Sequence, residues 1–267
     1  MAKTIACLIA RTASTRLPLK VLREVTPGVS MLDFIIQRLK LVSNIDSIYL
    51  CTSSEITDDI MEDVAARNKI NIYRGSPNQV IERLLSVAEK ENATDIIRIT
   101  GDNVFNAYEY MNDLVAMHTK NNLDYSKITG LPFGSTPEVM SVSALKDCNS
   151  KTDPTLSEYL TVFMFLPELY KCGMLKINDI NDYSNRTLTV DLSEDLVRTK
   201  LVLQNYTSEK LKITTKEIMQ LIDEHQIPYS MVNVNAELKL PFNITVKMAD
   251  FIRELNLKAT QSFQQTI

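Results

Sequence analysis

Between residues 11 and 23 the chain carries Arg11, Arg16, Lys20 and Arg23 and no acidic residue. The whole protein has a formal net charge of -4, so this cluster is local. Four cations in so short a loop repel one another unless an anion sits among them. Guanidinium forks match phosphate oxygens two at a time, and a lysine adds a mobile point charge. Ser14 and Thr15 add hydroxyl donors within the same loop. The chemistry is that of a polyphosphate cradle, with a solvated basic loop as the plain alternative. Two carboxylates complement it. Asp102 ends Arg98-Ile-Thr-Gly-Asp102, and Asp191 ends Arg186-Thr-Leu-Thr-Val-Asp191. An acid leaving a buried strand on a glycine turn suits a hard cation. Mg²⁺ takes one or two carboxylates and completes its shell with water and substrate phosphates. Each acid also has an ordinary explanation, Asp102 as a turn residue and Asp191 as a helix cap.

Other chemistries are poorly supplied. Only 6 residues are glycine, and neither GxG nor GxxxxGK occurs, which removes the glycine-rich phosphate cradles. Cys7, Cys51, Cys148 and Cys172 are dispersed and His118 and His225 are isolated, which leaves no zinc-ligand pattern. The histidines fall in amphipathic stretches and are expected to pack or face solvent. Unpaired cysteines fit a reducing compartment, and the acidic balance argues against nucleic acid as a partner. No signal peptide and no run of transmembrane length is evident, so the expectation is a cytoplasmic soluble protein without a membrane partner.

The elements that must position these groups follow from periodicity. Thr4–Ala10, Ser47–Cys51, Ile70–Tyr73 and Asp95–Thr100 read as strands. Helical spacing separates them: Leu32, Ile35, Ile36 and Leu39; then 57–68; then Val80, Ile81, Leu84 and Ala88; then 106–120. Ser30 and Asp33 supply the start of the first helix. Alternating strands and helices imply βαβ units, and in open α/β sheets ligands bind beyond the carboxyl ends of the strands. The polar segments 11–15, 52–54, 74–75 and 101–102 all follow strands and so converge on one crevice. The alternation lapses over 123–183, which reads as an insertion for substrate or dimer contacts. Arg186–Asp191 reads as a further strand and Ser193–Gln204 as a helix. Two more helices are expected near 214–225 and 245–257, in a helical C-terminal extension over 206–267.

Residues 6–22 resemble the opening signature of the cytidylyltransferases that make CMP-activated acidic sugars, of the spore-coat polysaccharide type. The matching residues are Ala10, Arg11, Ser14, Thr15, Arg16, Leu17, Pro18, Lys20, Val21 and Leu22. Tyr73-Arg-Gly-Ser76 with Val80 and Arg83, the RITGD segment, Glu138 with Ser141 and Leu145, and Arg186 to Leu196 match later motifs in order. Leu19 stands where the family usually has glycine, Gln79 where aspartate is common, and Asn103-Val104 where Cys-Pro is usual. Tyr159 stands where histidine is frequent.

The resemblance implies a single α/β domain over 1–205, mainly parallel and of the nucleotide-diphosphosugar transferase type, forming a homodimer. It implies CTP, Mg²⁺ and a small acidic or phosphorylated acceptor, with pyrophosphate released. Arg11, Arg16 and Lys20 would hold the triphosphate, with Arg11, Lys20 and Asp102 catalytic. Ser14, Thr52 and Arg98 would touch the nucleotide and Arg74 the base edge; Arg98 would also orient Asp102, with an ordinary buried ion pair as its plain alternative. Asp102 and Asp191 would be the metal pair, and Glu138, Glu158 and Arg186 would face the acceptor. A metal-dependent glycosyltransferase and an inactive nucleotide-binding subunit are the alternatives. The first usually carries a DxD pair, and Asp102-Asn103-Val104 lacks its second acid.

Overall fold

The computed structural model of the protein describes residues 2–153, Leu156 and 160–267. In chain order the first half runs β1 (Thr4–Ile9), β2 (Glu24–Thr26), β3 (Val29–Ser30), α1 (Met31–Leu39), β4 (Ser47–Ser53), α2 (Ile60–Asn68), β5 (Asn71–Gly75), α3 (Val80–Glu91), β6 (Asp95–Thr100) and α4 (Met111–Lys120). Then come β7 (Tyr125–Thr129), β8 (Glu138–Ser141), α5 (Val142–Lys151), α6 (Leu160–Met164), β9 (Cys172–Lys176), β10 (Arg186–Thr187) and α7 (Ser193–Asn205). The chain ends with α8 (Thr215–Glu224), β11 (Ser230–Met231), β12 (Glu237–Lys239), β13 (Thr245–Lys247), α9 (Met248–Gln261) and β14 (Phe263–Thr266).

Eight strands form one sheet in the order β14-β9-β7-β8-β6-β1-β4-β5. β1 is parallel to both β4 and β6, and β8 runs antiparallel to β6 and β7. β1 is apolar at nearly every position because it is covered on both faces. Ala6 and Leu8 pack into a core with Leu32, Ile36 and Leu114 from α1 and α4. Ile5 and Cys7 point the other way, into a core with Ile81, Leu84 and Leu145 from α3 and α5. Helix α1 starts where the sequence places its cap. The Ser30 hydroxyl accepts from Asp33 N at 3.2 Å, and Asp33 accepts from Ser30 N at 3.1 Å. Burial raises the Asp33 pKa, but hydrogen bonds from Arg67, Ser30 and Asn68 outweigh it and hold the carboxyl at about 2.

Three expectations change on folding. The stretch 123–183, expected as an insertion, also supplies strands β7, β8 and β9 to the main sheet. The C-terminal segment contains both expected helices, but it also returns to the sheet, with β14 pairing parallel to β9. Only Arg186–Thr187 of the expected strand 186–191 forms a ladder, with Ser230–Met231. The rest of that stretch is held by single main-chain bonds instead: Leu188 N donates to Phe133 O at 2.7 Å and Val190 N to Asp102 O at 3.0 Å. Asp191 is thereby laid beside Asp102 without a strand to carry it.

His118 is buried with Nδ1 2.8 Å from the Ser126 hydroxyl, and His225 is exposed, as their packing pattern suggested. All four cysteines are free thiols and buried. Among the described residues no helix is long and apolar enough to cross a membrane.

Candidate active site

The strand order reverses between β1 and β6, whose carboxyl ends open onto one crevice. Gly101 makes their close approach possible, since a Cβ there would stand 2.9 Å from the Ala10 Cβ. The loop after β1 is pinned at both ends. Leu17 and Val21 are buried. Thr12 donates to Asp58 from its backbone N (2.7 Å) and its hydroxyl (2.6 Å). Asp58 also accepts from Thr52 Oγ1 at 3.1 Å and from the Ser53 hydroxyl at 2.5 Å. Burial opposes ionisation of Asp58, but these hydrogen bonds prevail and hold its carboxyl below the ordinary range.

Leu19 turns the loop at φ 53° and ψ 28°, the left-handed region that glycine enters without strain. The leucine therefore occupies a conformation that glycine enters more readily. Because Leu19 is 53% exposed, Leu19→Gly loses little packing. Relief of about 1–2 kcal/mol of left-handed strain exceeds the roughly 0.5–1 kcal/mol of extra chain entropy. The expected result is an unfolding free energy higher by a fraction of about 1 kcal/mol, read as an upward shift of the urea midpoint at unchanged slope, with turnover unchanged; a fall in stability refutes the strain.

Charged groups from three distant segments meet at the crevice floor. Lys20 Nζ lies 3.1 Å from Asp102 Oδ2 and 2.9 Å from Asp191 Oδ1. Arg16 reaches the same Asp191 oxygen at 3.0 Å. Burial pulls the Lys20 pKa down, but the field of Asp102 and the contacts with Asp191 outweigh it and hold the ammonium above its ordinary value. Thr100 Oγ1 donates to Asp102 Oδ1 at 2.6 Å. With its amide turned to satisfy both ends, Asn103 donates to Asp102 Oδ1 at 3.3 Å and to Gly134 O at 3.2 Å. Arg11, Ser14, Arg16, Lys20, Arg98, Asp102 and Asp191 all line one cavity of about 540 Å³.

A second cavity of about 550 Å³ adjoins it, sharing Arg98, Thr100 and Asp102. Glu138 lies on its wall but is fully engaged: Arg98 and the Tyr125 hydroxyl donate to it, as does Thr161 Oγ1 at 2.6 Å. Burial raises the Glu138 pKa, yet Arg98 and these bonds keep the carboxyl below its usual range. Arg98 is thus tied to Glu138, on the boundary between the cavities, and has no bond to Asp102.

The structure sets apart three of the residues that the motifs placed at the site. Arg74 sits on the edge strand β5, and its guanidinium binds Asp59 at 2.5 Å and Glu62 at 2.7 Å, outside the cavity lining. The Thr52 hydroxyl is buried against Asp58, so it steadies the basic loop and does not face a ligand. Arg186 stacks between Tyr183 and Tyr229 and pairs with Asp223 at 2.8 Å, away from both cavities. Glu158 lies outside the described residues.

Two residues enter that the motifs left without a role. Arg83 is 4% exposed, lines the first cavity, and has no partner for its Nε and Nη1 among the described residues. Burial and the nearby Arg11 charge depress its pKa. Gly75 admits it: a Cβ there would stand 2.9 Å from Arg83 Cγ. The sequence held a signal, since Arg83 falls on the same helical face as Val80, Leu84 and Val87. An arginine on an apolar stripe needs an internal reason. The second is Lys127, on the wall of the second cavity.

An open sheet with a basic loop at its switch point and two acids facing that loop defines a nucleotide-binding α/β transferase. A family model described as Cytidylyltransferase matches residues 5–166, and the chain belongs to that family. It is a CTP-dependent cytidylyltransferase. The spore coat polysaccharide biosynthesis protein SpsF of Bacillus subtilis (strain 168) is 29% identical over 223 residues, covering 81% of this chain and 92% of that protein. Among solved structures, a cytidylyltransferase from Leptospira borgpetersenii superposes with a TM-score of 0.77 at 24% identity, covering 85% of this chain and 96% of its own. A CMP:2-keto-3-deoxy-manno-octonic acid synthetase complexed with CTP gives a TM-score of 0.60 at 13% identity, covering 76% of this chain and 99% of its own.

Proposed function

We propose that the first cavity binds CTP with its triphosphate among Arg11, Arg16 and Lys20, and that the second holds a small acidic acceptor. An acceptor oxygen forms a bond to the α-phosphorus while the bond from that phosphorus to the pyrophosphate oxygen breaks. Pyrophosphate leaves with the electron pair, and a hydroxyl acceptor releases its proton to solvent. The observation that carries this reading is the single Lys20 ammonium touching Asp102 and Asp191 where the two cavities meet. Such transfer needs positioning and charge stabilisation more than covalent chemistry.

The donor set at this point suits a divalent cation. One ammonium spans Asp102 and Asp191, so the two carboxylates share one small volume and offer hard oxygen donors. No group of three or more ligating side chains occurs among the described residues. Two acids are what Mg²⁺ takes when phosphates and water fill the remaining positions. Asp102 and Asp191 would hold the ion, which would neutralise phosphate charge when bound. Arg16 and Lys20, which pair with Asp191, turn to phosphate when the ligand arrives. A role in surface-glycan biosynthesis, a cytoplasmic location and a homodimeric state belong to this reading.

Arg83 supplies unpaired N–H donors inside the CTP cavity, suited to a base carbonyl or a phosphate oxygen. Thermal shifts with CTP, UTP, ATP and GTP plus Mg²⁺ test the nucleotide, and a pyrophosphate-release screen over acidic sugars and phosphorylated acceptors tests the transfer. CTP is expected to stabilise most. A clear preference for UTP refutes the reading. Arg83→Met is expected to raise the melting temperature of the ligand-free protein, since it removes a buried unpaired charge, and to shrink the CTP-induced shift. A lower melting temperature with the CTP shift intact would make Arg83 a structural residue.

A further inference from the structure

The second cavity has two contrasting sides. On one, Lys127 extends its ammonium over the Phe165 ring, 5.3 Å from the centroid. Its main chain is paired in the sheet, but among the described residues its ammonium makes no hydrogen bond and no salt bridge. Burial depresses its pKa, opposed by the field of Glu138. Glu138 is already occupied by Arg98, Tyr125 and Thr161, so the ammonium remains available to a ligand. The other side is apolar, with Leu238, Phe251, Ile252 and Leu255 from β12 and α9 lining the same cavity.

That wall is built into the fold. Met248 N donates to Ala236 O and Ala249 N to Val234 O, each at 2.9 Å, which fixes the start of α9. Its end runs straight into β14, which pairs with Gly173–Lys176 of the main sheet. Leu255 and Ala259 pack against the core beneath α3 and α5. This segment lies beyond residues 5–166, where the family model matches, so the family's motifs do not report on it. Asn256 of α9 also lines the cavity, but Leu238, Phe251, Ile252 and Leu255 would offer a polyhydroxylated acceptor no hydrogen bond where they meet it, while an apolar body would lose nothing against them.

We infer that the C-terminal segment makes the second cavity select an acceptor with one anionic group, held by Lys127, and an apolar body, packed on β12 and α9. The inference rests on the second cavity being the acceptor side of the CTP reaction, and it narrows the acceptor to an amphipathic acid such as a deoxygenated or acylated one.

Three six-carbon probes separate the features: hexanoate has charge and an apolar body, gluconate charge alone, and hexanol the body alone. Dissociation constants are measured by ligand-observed NMR on the full chain, with and without CTP. Hexanoate is expected to bind about tenfold or more tightly than either of the others. Lys127→Met is expected to erase its advantage over hexanol, and Leu255→Asn its advantage over gluconate. Leu257→Asn, at an exposed position of the same helix outside the cavity lining, serves as the control and is expected to change neither. If Leu255→Asn does not fold, Ile252→Asn replaces it. Gluconate binding as well as hexanoate, or hexanoate selectivity surviving Lys127→Met, overturns the inference. CTP titrated into the same samples keeps the two readings apart. Saturable CTP binding with gluconate preferred refutes the acceptor class alone, whereas hexanoate selectivity without CTP binding refutes the transfer reading.

Discussion

Lys20→Met is expected to slow CTP-dependent pyrophosphate release by about a hundredfold or more, because it removes a preorganised positive contact from the proposed triphosphate site. Arg23→Ala is the contrast. Arg23 belongs to the same loop, but its side chain donates to Pro18 O at 3.2 Å and lines neither cavity. Its loss is expected to leave turnover within a factor of a few. Equal and small effects of the two substitutions would reduce the loop to a basic surface. Lys20→Met also leaves Asp102 and Asp191 facing each other. Both are about a quarter exposed, so solvent screens them and the cost is held near 1 kcal/mol. Added Mg²⁺ should therefore stabilise the variant more than it stabilises the parent protein, read as a larger rise in melting temperature. The pH dependence has a definite sign. Since the Lys20 pKa is raised in the folded state, its stabilising contribution is fully present below the unfolded lysine pKa. That contribution is lost only as pH rises through the folded value. Titration across the neutral range should leave it untouched.

The half of the fold that holds the first cavity was legible because its strands are buried on both faces and its helices carry one apolar stripe each. Thr4–Ile9 and Asp95–Thr100 could hardly be anything else, and the polar residues after them then had to share one edge of the sheet. β14 was not legible. Phe-Gln-Gln-Thr has no apolar run, and it is a strand only because β9 offers it an open edge. The same holds for Asp191, whose place depends on Val190 bonding the Asp102 carbonyl, a contact between residues far apart in sequence. Arg74 shows the opposite failure. Its motif suggested a ligand, but an edge-strand arginine beside Asp59 and Glu62 finds partners on its own side of the sheet. Arg83 and Lys127 share a different difficulty. A cation inside an apolar pattern is visible in the sequence, but whether its charge is paired can be judged only when its neighbours are in place.

Asp102→Asn and Asp191→Asn are each expected to lower pyrophosphate release by about a hundredfold or more while leaving the protein folded. Asparagine keeps the shape and the neutral hydrogen bonds of both positions but not the charge that a cation requires. The two acids are embedded differently, and this sets which variant should be worse. Asp102 is held by Thr100 and by Asn103, so its oxygens are fixed before any ligand arrives. Asp191 is steadied through its main chain, where Asp195 accepts from its backbone N at 3.0 Å, while its carboxylate is shared between Lys20 and Arg16. Losing Asp191 also releases two cations toward the phosphates, which recovers some binding, so Asp102→Asn should be the more damaging to turnover and Asp191→Asn the milder in apparent CTP affinity. The double variant should be little worse than Asp102→Asn alone, because groups that act as one unit do not add. Melting temperatures should fall only slightly, as befits partly exposed pairs. Fully multiplicative losses in the double variant, measured at saturating CTP and Mg²⁺, would mean that the two carboxylates act separately. Asp191 would then serve the fold near α7 and not the cation.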